Sequence, residues 1–190
     1  MRFIYRARQY WHALIDSPAP EDLEQARRIL PTPLMDLFMQ LQGSEQVHSL
    51  RIHERLQEQN EVNKDLLVAA LLHDVGKIRY PLHLWERVLI VVSNSLFPEI
   101  VKTWGQGEPR GWRRSFVVAE QHPAWGAEMA AKAGASLMAV ALIRRHQEKP
   151  ANQIVKGDHA NDMLSGQPAE ESTLLEDRLL SRLQNLDNES

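Results

Sequence analysis

His73 and Asp74 stand side by side at the end of an apolar stretch, N-K-D-L-L-V-A-A-L-L-H-D-V-G-K-I-R at residues 63–79. Apolar residues recur there at near-helical spacing, Asn63 suits an N-cap and Gly76 suits a stop, so the pattern predicts a mostly buried helix that ends at the pair. Neighbouring helical residues point about 100° apart, so both side chains can flank one point only if something, most simply a cation, lies between them. The alternative is a helix end with polar side chains, where the dipole favours His73 and opposes Asp74. This stretch alone leaves both interpretations open.

The composition limits which metal such a pair could bind. The chain has 190 residues, enough for one domain with a substantial core. It contains no cysteine, which excludes disulfides and thiolate metal sites, so a metal would be held by histidine and carboxylate. Such ligands suit Zn²⁺, Mn²⁺, Fe or Mg²⁺. With 22 basic and 25 acidic residues, the net charge of −3 gives no case for specific nucleic-acid binding.

Three further histidines lie on other predicted helices. His48 falls in a helix predicted from residue 44 onward, among apolar residues, where a histidine is more often a hydrogen-bonded core residue than a ligand. His122 immediately precedes Pro123, which is predicted as the first residue of a helix, so this histidine is either a cap or a ring whose direction the proline fixes. His146 ends the next predicted helix and therefore lies at a helix C-terminus, as the first pair does.

Two aspartates of the last predicted helix, Leu174–Leu186 and its end, are the remaining acidic candidates. Asp177 lies near the N-terminus of this helix, where the dipole favours a negative charge. Asp187 ends the helix and opposes the dipole, which calls for another reason for its presence. Residues 150–172 have a turn-forming composition and predict a mobile loop that contains an exposed His159.

The other elements are also predicted to be helical. Residues 3–14 suit an amphipathic helix, and residues 21–30 and 34–42 suit two short helices. Residues 81–97 predict a helix that is apolar on all sides, so it is expected to be buried in the core or to lie against a partner or a membrane surface. Residues 97–111 are rich in glycine and proline and predict a loop that could overhang a site.

The sequence shows no feature of a membrane or secreted protein. The longest apolar run, Val88–Val92, is far too short to span a bilayer. Charges are scattered through the first twelve residues, which is not typical of a signal peptide. A cytoplasmic protein without a transmembrane segment is therefore expected.

Together these residues follow the order H…HD…H…H…D on an all-helical chain, and this order resembles the HD superfamily of metal-dependent phosphohydrolases. H-D-V-G-K at 73–77 is close to the HD-I-G-K form of the signature of that superfamily. The segments V-H-S-L-R-I, A-A-L-L-H-D-V-G-K, H-P-A-W-G-A-E and I-R-R-H-Q-E look like the ligand-bearing segments of HD-GYP-type domains. The resemblance covers roughly residues 44–188, and the whole is similar to the short stand-alone HD-domain proteins of bacteria. It implies an all-α helical bundle, with an HD domain at 44–190 and a short N-terminal helical extension at 1–43 packed on it.

The sequence also departs from the HD-GYP pattern. Gln147 stands where these domains carry a second histidine, and no G-Y-P loop follows Glu148, which argues against cyclic di-GMP hydrolysis. In this family the aspartate that ends the H…HD…H…H…D order lies on the last core helix and is commonly followed by another polar residue. L-Q-N-L-D-N at 183–188 matches this form better than L-L-E-D, so the resemblance favours Asp187, with Asp177 as the substitute.

The resemblance implies a metal site and a reaction. One or two divalent ions (Mn, Fe, Co, Zn or Mg) are expected, with Asp74 as the bridge if there are two, and metal-activated water would hydrolyse a nucleotide or other small phosphate ester. Lys77 is the second predicted catalytic residue and a candidate contact for a phosphate oxygen, although a solvated lysine is the alternative. Arg144 and Arg145 are further candidates for substrate binding. The implied metal ligands are His48, His73, Asp74, His122, His146 and Asp187.

Two functions remain open at this stage. The first is a phosphohydrolase that acts on a small phosphorylated substrate. The second is a non-catalytic HD module that binds a nucleotide or a protein partner and keeps a structural metal. The complete ligand set favours the first, whereas the missing second histidine of the HD-GYP pattern leaves the second open. The sequence does not identify the substrate or the metal, and it allows an oligomer.

Overall fold

The computed structural model describes residues 17–148 and 168–189, and every regular element within these ranges is helical. Two short 3-10 turns, Val75–Arg79 and Gly111–Arg113, stand among the α-helices. The prediction of an all-α fold is confirmed. The α-helices are α1 (Pro20–Ile29), α2 (Thr32–Phe38), α3 (Gly43–Glu58), α4 (Lys64–Leu72), α5 (Leu84–Leu96), α6 (Pro98–Trp104), α7 (Arg114–Lys132), α8 (Leu137–Arg145) and α9 (Pro168–Glu189).

Helix α4 lies at the centre of the bundle. Its N-cap is Asn63, whose side chain accepts a hydrogen bond of 3.0 Å from the backbone N–H of Leu66. Every residue from Leu66 to Leu72 is buried, because α4 packs against α3 and α8 and also contacts α1, α2 and α9. The predicted buried helix is therefore confirmed. It ends at Leu72, and the chain continues into the Val75–Arg79 turn rather than stopping at Gly76.

Helices α1 and α2 share the core of the bundle. Ala26, Leu30 and Phe38 belong to the same buried cluster as the leucines of α4. The two short helices predicted in this region are confirmed, although the second ends at Phe38 instead of residue 42. The division into an extension and a domain at residue 43 stays a prediction, and the helix predicted at 3–14 lies outside the described residues.

Two elements of the second half differ from their predictions. Pro123 does not begin a helix but lies in the interior of α7, where it removes one backbone hydrogen bond. Residues 98–104 form α6 instead of a loop, because Pro98 takes the first position of a helix, where its missing N–H has no partner to lose.

The C-terminal helix is longer than predicted. The loop predicted at 150–172, including His159, lies largely outside the described residues, but α9 already begins at Pro168. Its last turn includes Asp187, which the sequence placed just beyond the helix. Leu179, Leu180 and Leu183 on α9 are buried against the bundle, and this confirms the predicted amphipathic character of the helix.

Helix α5 is not part of the core in the way its composition suggested. Its buried residues are Glu86 and Ser93, whereas Trp85, Val88 and Val92 are exposed. Of the two alternatives predicted for this helix, burial of its apolar residues in the core is therefore wrong. Within the two described ranges, the structure contains no helix that is both long and apolar enough to cross a membrane.

Candidate metal centre

Six of the predicted site residues come together at one end of α4. They form two groups of three, and within each group one ligand atom from every residue lies within 4.8 Å of the others. The residues come from α3, from the segment after α4, from α7, from the end of α8 and from α9. The first group is His48, His73 and Asp187, and the second is Asp74, His122 and His146.

The two groups are parts of one cluster. Oδ2 of Asp74 lies 3.6 Å from Nε2 of His73, and its Oδ1 lies 3.1 Å from Nε2 of His122. Oδ1 of Asp187 lies 2.8 Å from Nε2 of His48 and 3.6 Å from Nε2 of His73. The ring of His146 lies 5.1 Å from that of His73, measured between centroids. Asp74 therefore stands between imidazoles from opposite halves of the sequence, whereas Asp187 stands between two imidazoles from the first half.

Three of the histidines are oriented by backbone carbonyl groups. Nδ1 of His73 faces the carbonyl oxygen of Ala70 at 3.0 Å, and Nδ1 of His146 faces that of Ile143 at 2.8 Å. A nitrogen that faces a carbonyl oxygen must donate its proton, so in the neutral ring the Nε2 atom keeps a free lone pair. Both residues cap the ends of their helices, where carbonyl groups lack partners within the helix.

His122 obtains the same orientation from a proline. A residue other than proline at position 123 would donate its N–H to the carbonyl group of Ala119, but Pro123 has no N–H. Nδ1 of His122 lies 2.9 Å from this carbonyl oxygen and 3.0 Å from that of Val118. The sequence correctly indicated that the proline fixes the imidazole, although it placed the pair at a helix start.

Three imidazole nitrogen atoms without a hydrogen-bond partner among the described residues indicate that the cluster fits a cation. Nε2 of His73, His122 and His146 is buried in each case and has no hydrogen bond of good geometry within the described residues. Buried polar atoms are rarely left without a partner unless an ion, water or ligand completes them. Imidazole nitrogen and carboxylate oxygen form a donor set that suits Zn, Fe, Mn or Co.

The charge of Asp74 is stabilised from several sides. Burial alone would oppose its ionisation, but the ammonium group of Lys77, together with His73 and His122, holds the pKa of Asp74 well below its usual range. Nζ of Lys77 donates a hydrogen bond of 2.6 Å to Oδ2 of Asp74. Although burial lowers the pKa of Lys77, Asp74 and Glu45 more than offset this effect and raise it.

The histidines respond to the same charges in opposite ways. Burial disfavours a proton on His73, but the nearby carboxylates of Asp74 and Asp187 raise its pKa to about 9. Burial and the neighbouring His73 and His122 lower the pKa of His146 to about 3. The His48 and His73 contacts outweigh burial at Asp187 and lower its pKa. A proton on His73 therefore takes the position that a metal cation would take if it bound to this ring.

The other predicted residues lie around the cluster. Oδ1 of Asp177 accepts a hydrogen bond of 2.9 Å from Arg145, away from the six residues. The guanidinium group of Arg145 also contacts Glu148 and Glu176, which together raise its pKa. Arg144 is exposed. Substrate binding by Arg144 and Arg145 stays a prediction.

The sequence analysis missed two residues that shape the site. Gly126 lies four residues after His122, on the same side of α7, and faces the Val75–Arg79 turn. A glycine inside a helical pattern often marks a close approach, so its position was the available signal. Glu45 is buried near Lys77 and holds Arg87 at 2.9 Å, but no local pattern distinguishes it from an ordinary first-turn glutamate.

The fold and the cluster agree with the comparison to protein families. The model of the HD domain family matches residues 46–189, so the chain belongs to the HD domain family, a superfamily of metal-dependent phosphohydrolases. Neither the curated proteins nor the solved structures gave a match. The finer similarity to HD-GYP-type and bacterial stand-alone proteins stays a prediction.

Proposed function

We propose that this protein is a metal-dependent phosphohydrolase that acts on a nucleotide or another small phosphate ester. The observation that supports this proposal is that three buried Nε2 atoms, none of which has a hydrogen-bond partner among the described residues, lie close to two carboxylates. A cluster of this kind offers a divalent cation both lone pairs and negative charge, and the family to which the chain belongs uses such cations for hydrolysis.

The six clustered residues would hold one or two divalent ions. Asp74 turns one oxygen toward His73 and the other toward His122, so its carboxylate would bridge two ions if both groups are filled. The carbonyl groups behind His73, His122 and His146 keep these three rings in the tautomer that a metal needs. Mn, Fe, Co, Zn or Mg are the candidates, with the nitrogen-rich set favouring the transition metals.

When bound, the metal would lower the pKa of water and offset the negative charge of a phosphate ester. The chain itself supplies the buried surroundings that strengthen these charge interactions, because Asp74, His73, His122 and His146 are almost inaccessible to bulk solvent. The Lys77 side chain stays partly exposed while it binds Asp74. We expect its ammonium group to contact one oxygen of the substrate.

Metal content and phosphate release test this proposal together. The wild type should bind divalent metal and release phosphate from at least one member of a panel of phosphomonoesters, phosphodiesters and nucleoside triphosphates, with Mn²⁺, Fe²⁺, Co²⁺, Zn²⁺ or Mg²⁺ supplied. His73→Ala and Asp74→Ala should lose most of the metal and the activity. His83→Asn changes an exposed histidine at the start of α5 and serves as the control.

The outcomes separate the metal site from the reaction. Unchanged metal content in both alanine variants would contradict the metal site. Full metal loading of the wild type without turnover of any substrate class would contradict the hydrolase and favour a binding module with a structural metal. Calorimetry with nucleotides would then measure the affinity of that module.

A further inference from the structure

A cation and two aromatic rings meet where the Val75–Arg79 turn packs against α7. The rings of Tyr80 and Trp125 lie 5.3 Å apart between centroids, at an interplanar angle of 54°. Cζ of Arg79 lies 5.3 Å from the centroid of the Trp125 ring and 5.9 Å from that of the Tyr80 ring, and both distances are within the range of a cation–π interaction. We call these three residues, Arg79, Tyr80 and Trp125, the aromatic platform.

Both chain segments place the platform one turn away from residues of the metal centre. In a 3-10 turn, side chains three residues apart are aligned, and the N–H groups of Lys77 and Tyr80 donate to the carbonyl oxygens three residues earlier. Tyr80 therefore follows Lys77, as Lys77 follows Asp74, at about 6 Å along the axis. On α7, Trp125 follows His122 at the three-residue spacing of neighbours on a helix surface. The platform therefore adjoins the metal centre on the side of Lys77.

The polar groups of the platform have no partner in the described part of the chain. The guanidinium group of Arg79, the hydroxyl group of Tyr80 and the indole N–H of Trp125 form no hydrogen bond or ion pair with a described residue. Arg79 is exposed, and the two rings are partly buried. Lys77, by contrast, is paired with the carboxylate of Asp74. Aromatic rings hold a guanidinium group without neutralising its charge, so the N–H donors of Arg79 stay available to a ligand.

These groups suit a nucleotide better than a simple phosphate ester. Aromatic side chains and guanidinium planes bind nucleobases by stacking. The carbonyl oxygens and ring nitrogens of a base also accept hydrogen bonds from donors such as those of Arg79. A sugar phosphate would use the metal centre and Lys77 but would leave the platform without a partner, whereas a nucleotide would use both.

We propose that the aromatic platform binds the base of a nucleotide whose phosphate lies at the metal centre. This inference rests on the proposed phosphohydrolase function and narrows its substrate from small phosphate esters to nucleoside phosphates. Arg79, Tyr80 and Trp125 contact the base and not the reacting phosphate, so they determine specificity. Lys77, which lies one turn nearer to the metal centre, is the candidate contact for the phosphate.

Binding of hydrolysis-resistant analogues tests the platform without turnover. Phosphonates of AMP, UMP and ribose 5-phosphate, in which a methylene group replaces the bridging oxygen, are titrated by calorimetry into the full chain with Mn²⁺ supplied. At least one nucleotide analogue should bind about 10-fold more tightly than the ribose analogue, because stacking of one base typically contributes this much. Arg79→Met and Trp125→Leu should each remove most of this preference and leave the affinity for the ribose analogue unchanged.

Arg113→Met is the matched control. Arg113 is also an exposed arginine, and its Cζ lies 5.3 Å from the ring centroid of a tryptophan, Trp112. It precedes His122 by nine residues, which is about 13 Å along α7, so this variant should keep the preference for a nucleotide. Trp125→Phe retains an aromatic ring and should keep most of the preference as well. Retained helical content in each variant shows that the chain has folded.

Turnover of the natural esters separates this inference from the phosphohydrolase proposal. The ratio of kcat/KM for the preferred nucleotide to kcat/KM for ribose 5-phosphate should fall about 10-fold in Arg79→Met and in Trp125→Leu. A preference for a nucleotide analogue that depends on Arg79, without phosphate release from any ester, would contradict the hydrolase and leave the platform intact.

Three outcomes would overturn the platform, whatever phosphate release shows for the hydrolase. The first is a wild type that binds neither nucleotide analogue more tightly than the ribose analogue. The second is a preference that Arg79→Met and Trp125→Leu both leave unchanged, or an equal loss of affinity for the ribose analogue in these variants. The third is turnover of ribose 5-phosphate but of neither AMP nor UMP.

Discussion

Gly76 and Gly126 face each other where the Val75–Arg79 turn crosses α7. A Cβ atom at Gly76 would lie 2.6 Å from the backbone nitrogen of Gly126 and would overlap the carbonyl oxygen of His122. Both neighbours are backbone atoms, which cannot move aside as a side chain can. The absence of a side chain at Gly76 therefore allows Asp74 and His122 to approach each other.

Gly76→Ala is expected to damage stability and metal binding together. The added methyl group must push the turn away from α7, at a cost of about 3 kcal/mol in the free energy of unfolding. Gly126→Ala should cost less, because its Cβ atom would meet the nitrogen of Gly76 at 3.0 Å. Denaturant unfolding and metal titration measure both effects. Equal behaviour of the two variants would contradict the role of the close approach.

The two aspartates of α9 offer a matched comparison. Asp187→Asn should weaken metal binding by about 100-fold or more, because Asp187 contacts both His48 and His73. Asp177→Asn should keep the metal and change the free energy of unfolding by less than about 1 kcal/mol, since it removes only a partly exposed pair with Arg145. Competition with a chelator measures the affinities. A loss of metal in Asp177→Asn alone would move the proposed site along α9.

Much of the site could be predicted because its residues end apolar helices. The helical pattern around α4 and α8 places His73 and His146 just after the last residue of each helix, where their rings reach free carbonyl groups. Asp187 could be chosen over Asp177 only through the resemblance to a family, because spacing alone allows either side of α9. The pairing of Asp177 with Arg145 depends on the packing of α8 against α9, which local sequence does not encode.

Other features could not be predicted for equally physical reasons. A proline that begins a helix and one that lies within it look alike locally, and only the hydrogen bond from His122 to Ala119 explains the interior position of Pro123. The apolar composition of α5 does not distinguish a core helix from one that meets a partner. The bonds of Glu86 to Arg114 across the fold decide which side of α5 turns inward.

Lys77→Met should separate the structural role of Lys77 from its catalytic role. With a chelator present, loss of the ammonium group leaves the buried Asp74 carboxylate with less compensation, so unfolding should become easier by about 3 kcal/mol. Added metal should restore part of this stability. With metal bound, kcat/KM for a phosphate ester should fall about 10-fold or more, since a charge-assisted contact is lost.

Lys102→Met provides the control for this variant. Lys102 pairs with Glu99 at the same spacing along the chain, but both side chains are exposed, so the free energy of unfolding should change by less than about 0.5 kcal/mol. Thermal unfolding with and without chelator compares the two variants. If metal stabilised both to the same degree, Lys77 would have no special relation to the metal site. A change confined to KM would assign Lys77 to uniform substrate binding.

His53 should make the metal-free protein sensitive to acid. It is completely buried on α3, and neither ring nitrogen has a hydrogen-bond partner within the described residues. Burial lowers its pKa from the ordinary 6.5. The unfolded chain therefore takes up a proton on His53 more readily than the folded chain does, so the stability is fully present above pH 6.5 and decreases as the pH falls below this value.

His53→Leu should reduce this decrease, because leucine fills a similar volume and cannot bind a proton. The free energy of unfolding, measured by urea denaturation at a series of pH values with a chelator present, should fall less steeply below pH 6.5 than in the wild type. Near neutral pH the variant should be as stable as the wild type or about 1 kcal/mol more stable, because two unpaired buried nitrogen atoms are removed. His146 titrates in both proteins, so the difference between the two curves isolates His53. Parallel curves would show that His53 does not change its protonation on unfolding.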